Sequence, residues 1–192
     1  VLLSNSKNIN LTNTTIINTV AGATGINVIR SDGIILTNSS FQDTTISIST
    51  SSATNISLVD NARITNYTFT DVLLTITQTG FNSVQYLQRI GANGTNFSMD
   101  MNLTTTNRTH VNTSRSPGLN ATANITMFGI SIGSPIITVD YLDNGVFATC
   151  ASPTCINLSY SGTTFIFNVS SFTTYAASNI SNLAPTITLI NP

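Results

Sequence analysis

The sequence predicts an all-β chain in two parts, short parallel β-helix (solenoid) rungs followed by an antiparallel β-sandwich. Three observations predict it: two-residue alternation of apolar and polar side chains, a phrase recurring through the first third, and turn residues at regular spacing in the remainder. An apolar content of 41% is enough for a packed core.

The recurring phrase reads Asn8-Ile9-Asn10-Leu11-Thr12-Asn13, then Gly33-Ile34-Ile35-Leu36-Thr37-Asn38, then Asn55-Ile56-Ser57-Leu58-Val59-Asp60. Its isoleucines at 9, 34 and 56 lie 25 and then 22 residues apart, and Ile16, Phe41 and Ile64 follow the three phrases. Between them run Gly25-Ile26-Asn27-Val28-Ile29 and Thr45-Ile46-Ser47-Ile48-Ser49. Short strands at this period suit a solenoid in which each rung covers the apolar face of the next. On these phrases residues 1–70 resemble the right-handed parallel β-helix of pectin-lyase-like and NosD-like repeats; an ordinary β-meander is the alternative. In the solenoid reading Ile9, Leu11, Ile34, Leu36, Ile56 and Leu58 point inward and Asn10 outward. Asn13, Asn38 and Asp60 then share one bend, where stacked Asn side chains can hydrogen-bond to one another.

From Asp71 the repeat stops and two-residue alternation continues in longer strands. Candidates are Val72 to Thr79, Asn96 to Thr104, Ala121 to Phe128, Ile136 to Leu142, Ile156 to Tyr160 and Thr164 to Val169, with Val84 to Arg89 ambiguous. Turn chemistry separates them at Gly91 to Gly94, Ser116-Pro117-Gly118, Asp143-Asn144-Gly145 and Ser161-Gly162. This pattern predicts a β-sandwich over 71–178. Residues 179–192 read as a linker and terminal strand that pairs with a neighbouring domain or subunit.

Fifteen N-glycosylation sequons begin at Asn10, Asn13, Asn38, Asn55, Asn66, Asn93, Asn96, Asn102, Asn107, Asn112, Asn120, Asn124, Asn157, Asn168 and Asn179. Random order of 24 Asn, 33 Thr and 23 Ser would give about 7, so the pattern is enriched about twofold. Strand parity puts Asn10, Asn96, Asn102, Asn124, Asn157 and Asn168 on solvent faces. Asn13 and Asn38 are doubtful acceptors, because an Asn buried in a turn ladder cannot also carry a sugar. Seven sequons fall between Asn93 and Asn124, around the polar stretch Thr104 to Ser116, which reads as a sugar-covered flank or, if unmodified, a long mobile loop.

Only 13 residues are charged, Lys7 is the sole lysine, and Glu and Trp are absent. A net charge of −1 without a basic run removes the electrostatic footprint of nucleic-acid binding. No apolar stretch is long enough to span a bilayer, and Val1, Leu2 and Leu3 are too few for a signal sequence, so export is expected to be encoded elsewhere in a longer polypeptide. Cys150 and Cys155 flank Ala-Ser-Pro-Thr; in an exported chain they form a small-loop disulfide worth about 2 kcal/mol.

The runs Pro117 to Phe128, Asp143 to Gly145, Cys150 to Cys155, Leu158 to Thr163 and Phe167 to Tyr175 resemble a module of large, modular cell-surface glycoproteins in small-genome archaea. There it commonly precedes an Ig-like repeat whose first strand resembles Pro185 to Pro192. The resemblance implies a cell-surface location and modular architecture, and carries over no active site.

The sequence gives little material for catalysis, and no enzyme is expected. Arg30 with Asp32, and Asp60 with Arg63, form at most local polar patches; His110 reads as a solvated loop histidine with no nucleophile elbow nearby. No cofactor is implied beyond covalent N-glycans. Asp140, Asp143 and Asn144 offer oxygens to Ca²⁺ but lack the regular spacing of a dedicated loop. The expectation is a structural, self-assembling subunit of an extracellular filament or envelope layer. Its partners are other copies in a homopolymer, joined through solenoid ends and the strand Thr186 to Ile190. The alternative is an adhesin for host-cell or surface glycans, with Tyr67, Phe69, Phe81 and Tyr86 as stacking faces; a polysaccharide lyase or hydrolase comes third.

Overall fold

Apolar residues at a fixed offset fold into a stack when each can sit on its counterpart, and the first part of the chain does this. A computed structural model describes residues 1–17, 23–49, 55–60 and 63–179. The first eight strands are β1 (Leu2–Ser4), β2 (Asn10–Thr12), β3 (Thr15–Ile17), β4 (Thr24–Ile29), β5 (Ile34–Thr37), β6 (Ser40–Ser49), β7 (Asn55–Val59) and β8 (Arg63–Gln78). They pair in parallel: β1 with β4, β4 with β6, β6 with β8; β2 with β5, β5 with β7, β7 with β8; and β3 with β6. The register carries Leu11 onto Leu36, Leu36 onto Leu58 and Leu58 onto Ile76, while Ile26, Ile46 and Tyr67 form a second column. Ile34, Leu36, Ile56 and Leu58 are buried, each stabilising the fold by about 1.5–3 kcal/mol through apolar surface removed from water. Ile9 and Leu11, expected inside, are only partly buried, because β2 is paired on one side alone among the described residues.

The corners explain the asparagines. Asn13, Asn38 and Asp60 adopt φ of 53°, 47° and 52°, a left-handed conformation that Asn and Asp tolerate. Their backbone N–H groups donate to Thr37, Val59 and Thr77 carbonyls at 3.0, 2.8 and 2.9 Å, locking successive turns together. Asn38 Nδ2 also donates to Asn13 Oδ1 at 2.7 Å, the expected ladder contact, although both side chains are exposed rather than buried. At other corners buried Ser31 and Ser39 accept the Ser6 and Thr14 N–H groups, so turning the chain leaves those donors satisfied.

The chain continues through β9 (Asn82–Tyr86), β10 (Ile90–Gly94), the one-turn helix α1 (Phe97–Asp100), β11 (Met101–Thr105), β12 (Arg108–Val111), a 3-10 turn (Pro117–Leu119), β13 (Ala123–Met127), β14 (Pro135–Asp140), β15 (Ala148–Thr149), β16 (Cys155–Ser161), β17 (Thr164–Val169) and β18 (Thr174–Asn179). Among the described residues all pairing of the strands after β8 is antiparallel. β9 joins the second half of β8 and β10 the first, and β9-β13-β17-β16 completes a mixed sheet; β11-β12-β18-β14-β15 forms a second, antiparallel one. The boundary expected at residue 71 falls inside β8, where Asp71 turns the strand at φ 56°. The two sheets pack face to face. Phe167 of β17 lies 6.2 Å from Tyr175 of β18, and fully buried Asn82 of β9 donates its amide N–H groups to the Leu103 and Thr105 carbonyls at 2.8 Å.

Three sequence expectations need correction. Asn96 to Thr104 is not one strand: Asn96 Oδ1 accepts the Met99 N–H at 3.2 Å and caps α1, leaving Met99 58% exposed. A capping bond outweighs alternation there. Gly91 to Gly94 belongs to β10 rather than a turn; Gly94 is needed because a Cβ would collide with Asp100 and lie 2.6 Å from Tyr67 Oη. The polar stretch Thr104 to Ser116 contains β12 and a hairpin turning at Asn107, φ 61°, instead of a long loop. The ambiguous run Val84 to Arg89 divides: Val84 to Tyr86 is the end of β9, and Leu87 to Arg89 lie beyond it in the connection to β10. The terminal strand Thr186 to Ile190 lies outside the described residues.

Candidate functional site: glycan acceptors and a polar cleft

An N-glycan is joined through the asparagine Nδ2, so the partner of each carboxamide atom matters as much as exposure. Asn10, Asn13, Asn38, Asn55, Asn93, Asn120, Asn157 and Asn179 are exposed; Asn66, Asn96, Asn102, Asn107, Asn112, Asn124 and Asn168 are half-buried. In three sequons the third residue's hydroxyl donates to the asparagine's own Oδ1: Thr12 to Asn10, Ser98 to Asn96 and Thr104 to Asn102, all at 3.0 Å. Asn112 and Asn120 accept backbone N–H groups from Arg115 and Phe172 through the same atom. These bonds fix the oxygen without using the nitrogen.

Among the described residues, two sequons use the nitrogen. Asn38 donates to Asn13, and Asn168 donates to the Ala123 carbonyl at 3.1 Å and Asn124 Oδ1 at 3.2 Å from directly across the β13–β17 ladder. Parity alone treats Asn124 and Asn168 alike; the hydrogen bonds distinguish them. On β16, Ile156 and Leu158 are exposed along with Asn157, because this is an edge strand with an irregular register beyond Asn157.

A cleft of about 220 Å³ lies on the face of the antiparallel sheet that bears Asn102, His110, Thr174 and Asp140, lined also by Thr105, Arg108, Asp143 and Gly145. Asn102, His110, Thr174 and Asp140 stand directly opposite one another on β11, β12, β18 and β14, one polar row across four strands. Thr174 Oγ1 donates to Asp143 Oδ1 at 2.6 Å. Its single proton is thereby used, so the 2.7 Å contact with His110 Nδ1 requires that nitrogen to be the donor. Neutral His110 thus carries its proton on Nδ1 and presents Nε2 as an acceptor. Asp140 is buried, which works against its charge, but its oxygens accept the N–H groups of Leu142, Asn144 and Gly145 at 3.2, 3.2 and 2.6 Å. These bonds hold its carboxyl below the ordinary aspartate range.

His110 is therefore a half-buried strand residue, correcting the solvated-loop expectation, and the oxygens anticipated for Ca²⁺ are engaged by backbone and hydroxyl donors. Among the described residues no three His, Cys, Asp or Glu are grouped to hold a metal. Asp32 and Asp60 accept backbone N–H groups from Asn55 and Thr79, and the Arg63 side chain lies outside what is described. Tyr67, Phe69 and Tyr86 are buried, so they present no stacking face; burial also pushes the Tyr67 and Tyr86 phenols up. Buried Asp100 is held by Arg115 Nε at 2.7 Å and Tyr67 Oη at 2.9 Å. The polar row was missed in the sequence because Thr174 stands 64 residues from His110, in a strand whose Thr, Ala and Ser residues carry little apolar alternation.

Cys150 and Cys155 form the expected disulfide, with Cα atoms 5.7 Å apart. It staples the crossing from β15 in one sheet to β16 in the other. Among the described residues no helix is long and apolar enough to cross a membrane. Comparison with protein-family models, curated proteins and solved structures finds no match to this chain.

Proposed function

We propose that this chain is a structural, heavily N-glycosylated protein of an extracellular surface, a subunit of a filament or envelope layer that assembles with copies of itself. The observation carrying this reading is that none of the fifteen sequon asparagines is buried, whereas Asn82, which belongs to no sequon, is fully enclosed. The disulfide supports an oxidising compartment. The parallel registers at offsets of 25 and 22 residues support a short β-helix, and the two facing sheets support a β-sandwich after it. Modular archaeal surface glycoproteins remain the family whose architecture this arrangement suits.

Glycopeptide mapping of the natively produced protein tests the reading. Sugar is expected at Asn10, Asn96, Asn102 and Asn120, with Asn38 and Asn168 empty. A chain bare at every sequon would overturn it. Imaging of the same material separates a filament or lattice from an adhesin, which would remain monomeric and bind selectively on a glycan array.

A further inference from the structure

We propose that the polar cleft is the docking site of the sugar carried by Asn102, so that this one glycan lies against the protein as a fixed layer. The proposal rests on the glycoprotein reading and adds what the cleft recognises: the neutral, polyhydroxylated proximal unit of the chain's own glycan.

Position is the first argument. Asn102 lines the cleft and stands at the first place in the row that runs through His110 and Thr174 to Asp140. Adjacent strands are about 4.8 Å apart, so the row extends roughly 14 Å from the acceptor. A sugar linked to Asn102 needs no long tether to reach it. The acceptor is also oriented, since Thr104 N–H and Oγ1 both donate to Asn102 Oδ1 at 3.0 Å. With the oxygen pinned, Nδ2 has one direction rather than a rotating range.

Chemistry is the second argument. Arg108 brings guanidinium donors, His110 Nε2 an acceptor, Asp143 a carboxylate, and Thr105 a hydroxyl that does both. Sugar hydroxyls both donate and accept, and such a mixed lining satisfies them. Asp143 and Asp140 disfavour an anion, while Arg108 disfavours a bare cation.

Rigidity is the third. The turn from Asp140 to Gly145 is tied down by three of its own backbone N–H groups on Asp140, and its Asp143 is joined through Thr174 to His110 on the neighbouring strands. A preformed cleft spares the ligand the cost of ordering it.

Limited periodate oxidation of the native glycosylated protein, read site by site by glycopeptide mass spectrometry, tests this. The proximal sugar on Asn102 should be oxidised about tenfold more slowly than those on exposed Asn120 and Asn157, with the difference abolished in denaturant. Arg108→Ala and Asp143→Asn, both on exposed side chains, should remove the protection with the fold retained by circular dichroism. Equal oxidation at Asn102 and the exposed sites overturns docking while leaving the glycoprotein reading intact. So does an unmodified Asn102 among occupied neighbours. Bare asparagines throughout overturn both.

Discussion

Replacing Leu36 by Ala should destabilise the protein far more than replacing Leu11, although both occupy the same column of the parallel stack. Leu36 is 0% exposed and lies in register between Leu11 and Leu58. Truncation removes three carbons, about 2.4 kcal/mol at about 0.8 kcal/mol each, and leaves an enclosed void that adds roughly 1–2 kcal/mol. The expected cost is about 3–4 kcal/mol. Leu11 is partly buried and its strand is paired on one side alone among the described residues, so half the transfer energy is lost and no void is enclosed, giving about 1 kcal/mol. Equilibrium urea unfolding with a common m value measures both. Equal costs would mean that Leu11 is covered as deeply as Leu36, and the one-sided stack would be wrong. A Leu36 cost below about 1.5 kcal/mol would refute its enclosure.

Gly118→Ala should cost about 2–4 kcal/mol, since its new Cβ would fall on the Gly91 carbonyl and 2.8 Å from Ala92 Cα, all backbone; an unchanged urea midpoint would separate the 3-10 turn from β10. Replacing Cys150 and Cys155 by Ser should cost about 2 kcal/mol and lower Tm by about 4–8 °C by calorimetry, and a smaller drop would show that the crossing needs no staple. The Asp140 carboxyl titrates lower folded than unfolded, so its stabilisation is complete above the ordinary aspartate pKa and drains as pH falls through the folded value. Asp140→Asn should therefore flatten the decline in Tm between about pH 5 and pH 2, and an unaltered acid limb would remove Asp140 from that role.

The parallel part was legible because its rule is simple. A phrase such as Ile-x-Leu at fixed offsets must stack on itself, and the Asn or Asp ending each phrase takes the left-handed corner. The second part was less legible because its strands obey local exceptions. Asn96 diverts an alternating run into a helical turn, and Gly94 serves a close approach to Tyr67 rather than a bend. The cleft was out of reach for a different reason. His110, Asp143 and Thr174 are ordinary in their own neighbourhoods and become a chain of hydrogen bonds only once β12, β18 and β14 lie side by side. Carboxamide orientation is likewise invisible to parity, which places Asn124 and Asn168 on one face without revealing that one donates to the other.

Because β8 is hydrogen-bonded to β6, β7, β9 and β10 at once, the parallel and antiparallel parts share a strand instead of a linker. A joint of that kind has no hinge. Tension applied across it would be borne in shear by four ladders together, so the chain should yield mechanically as one body, at a single force, rather than by one half peeling from the other.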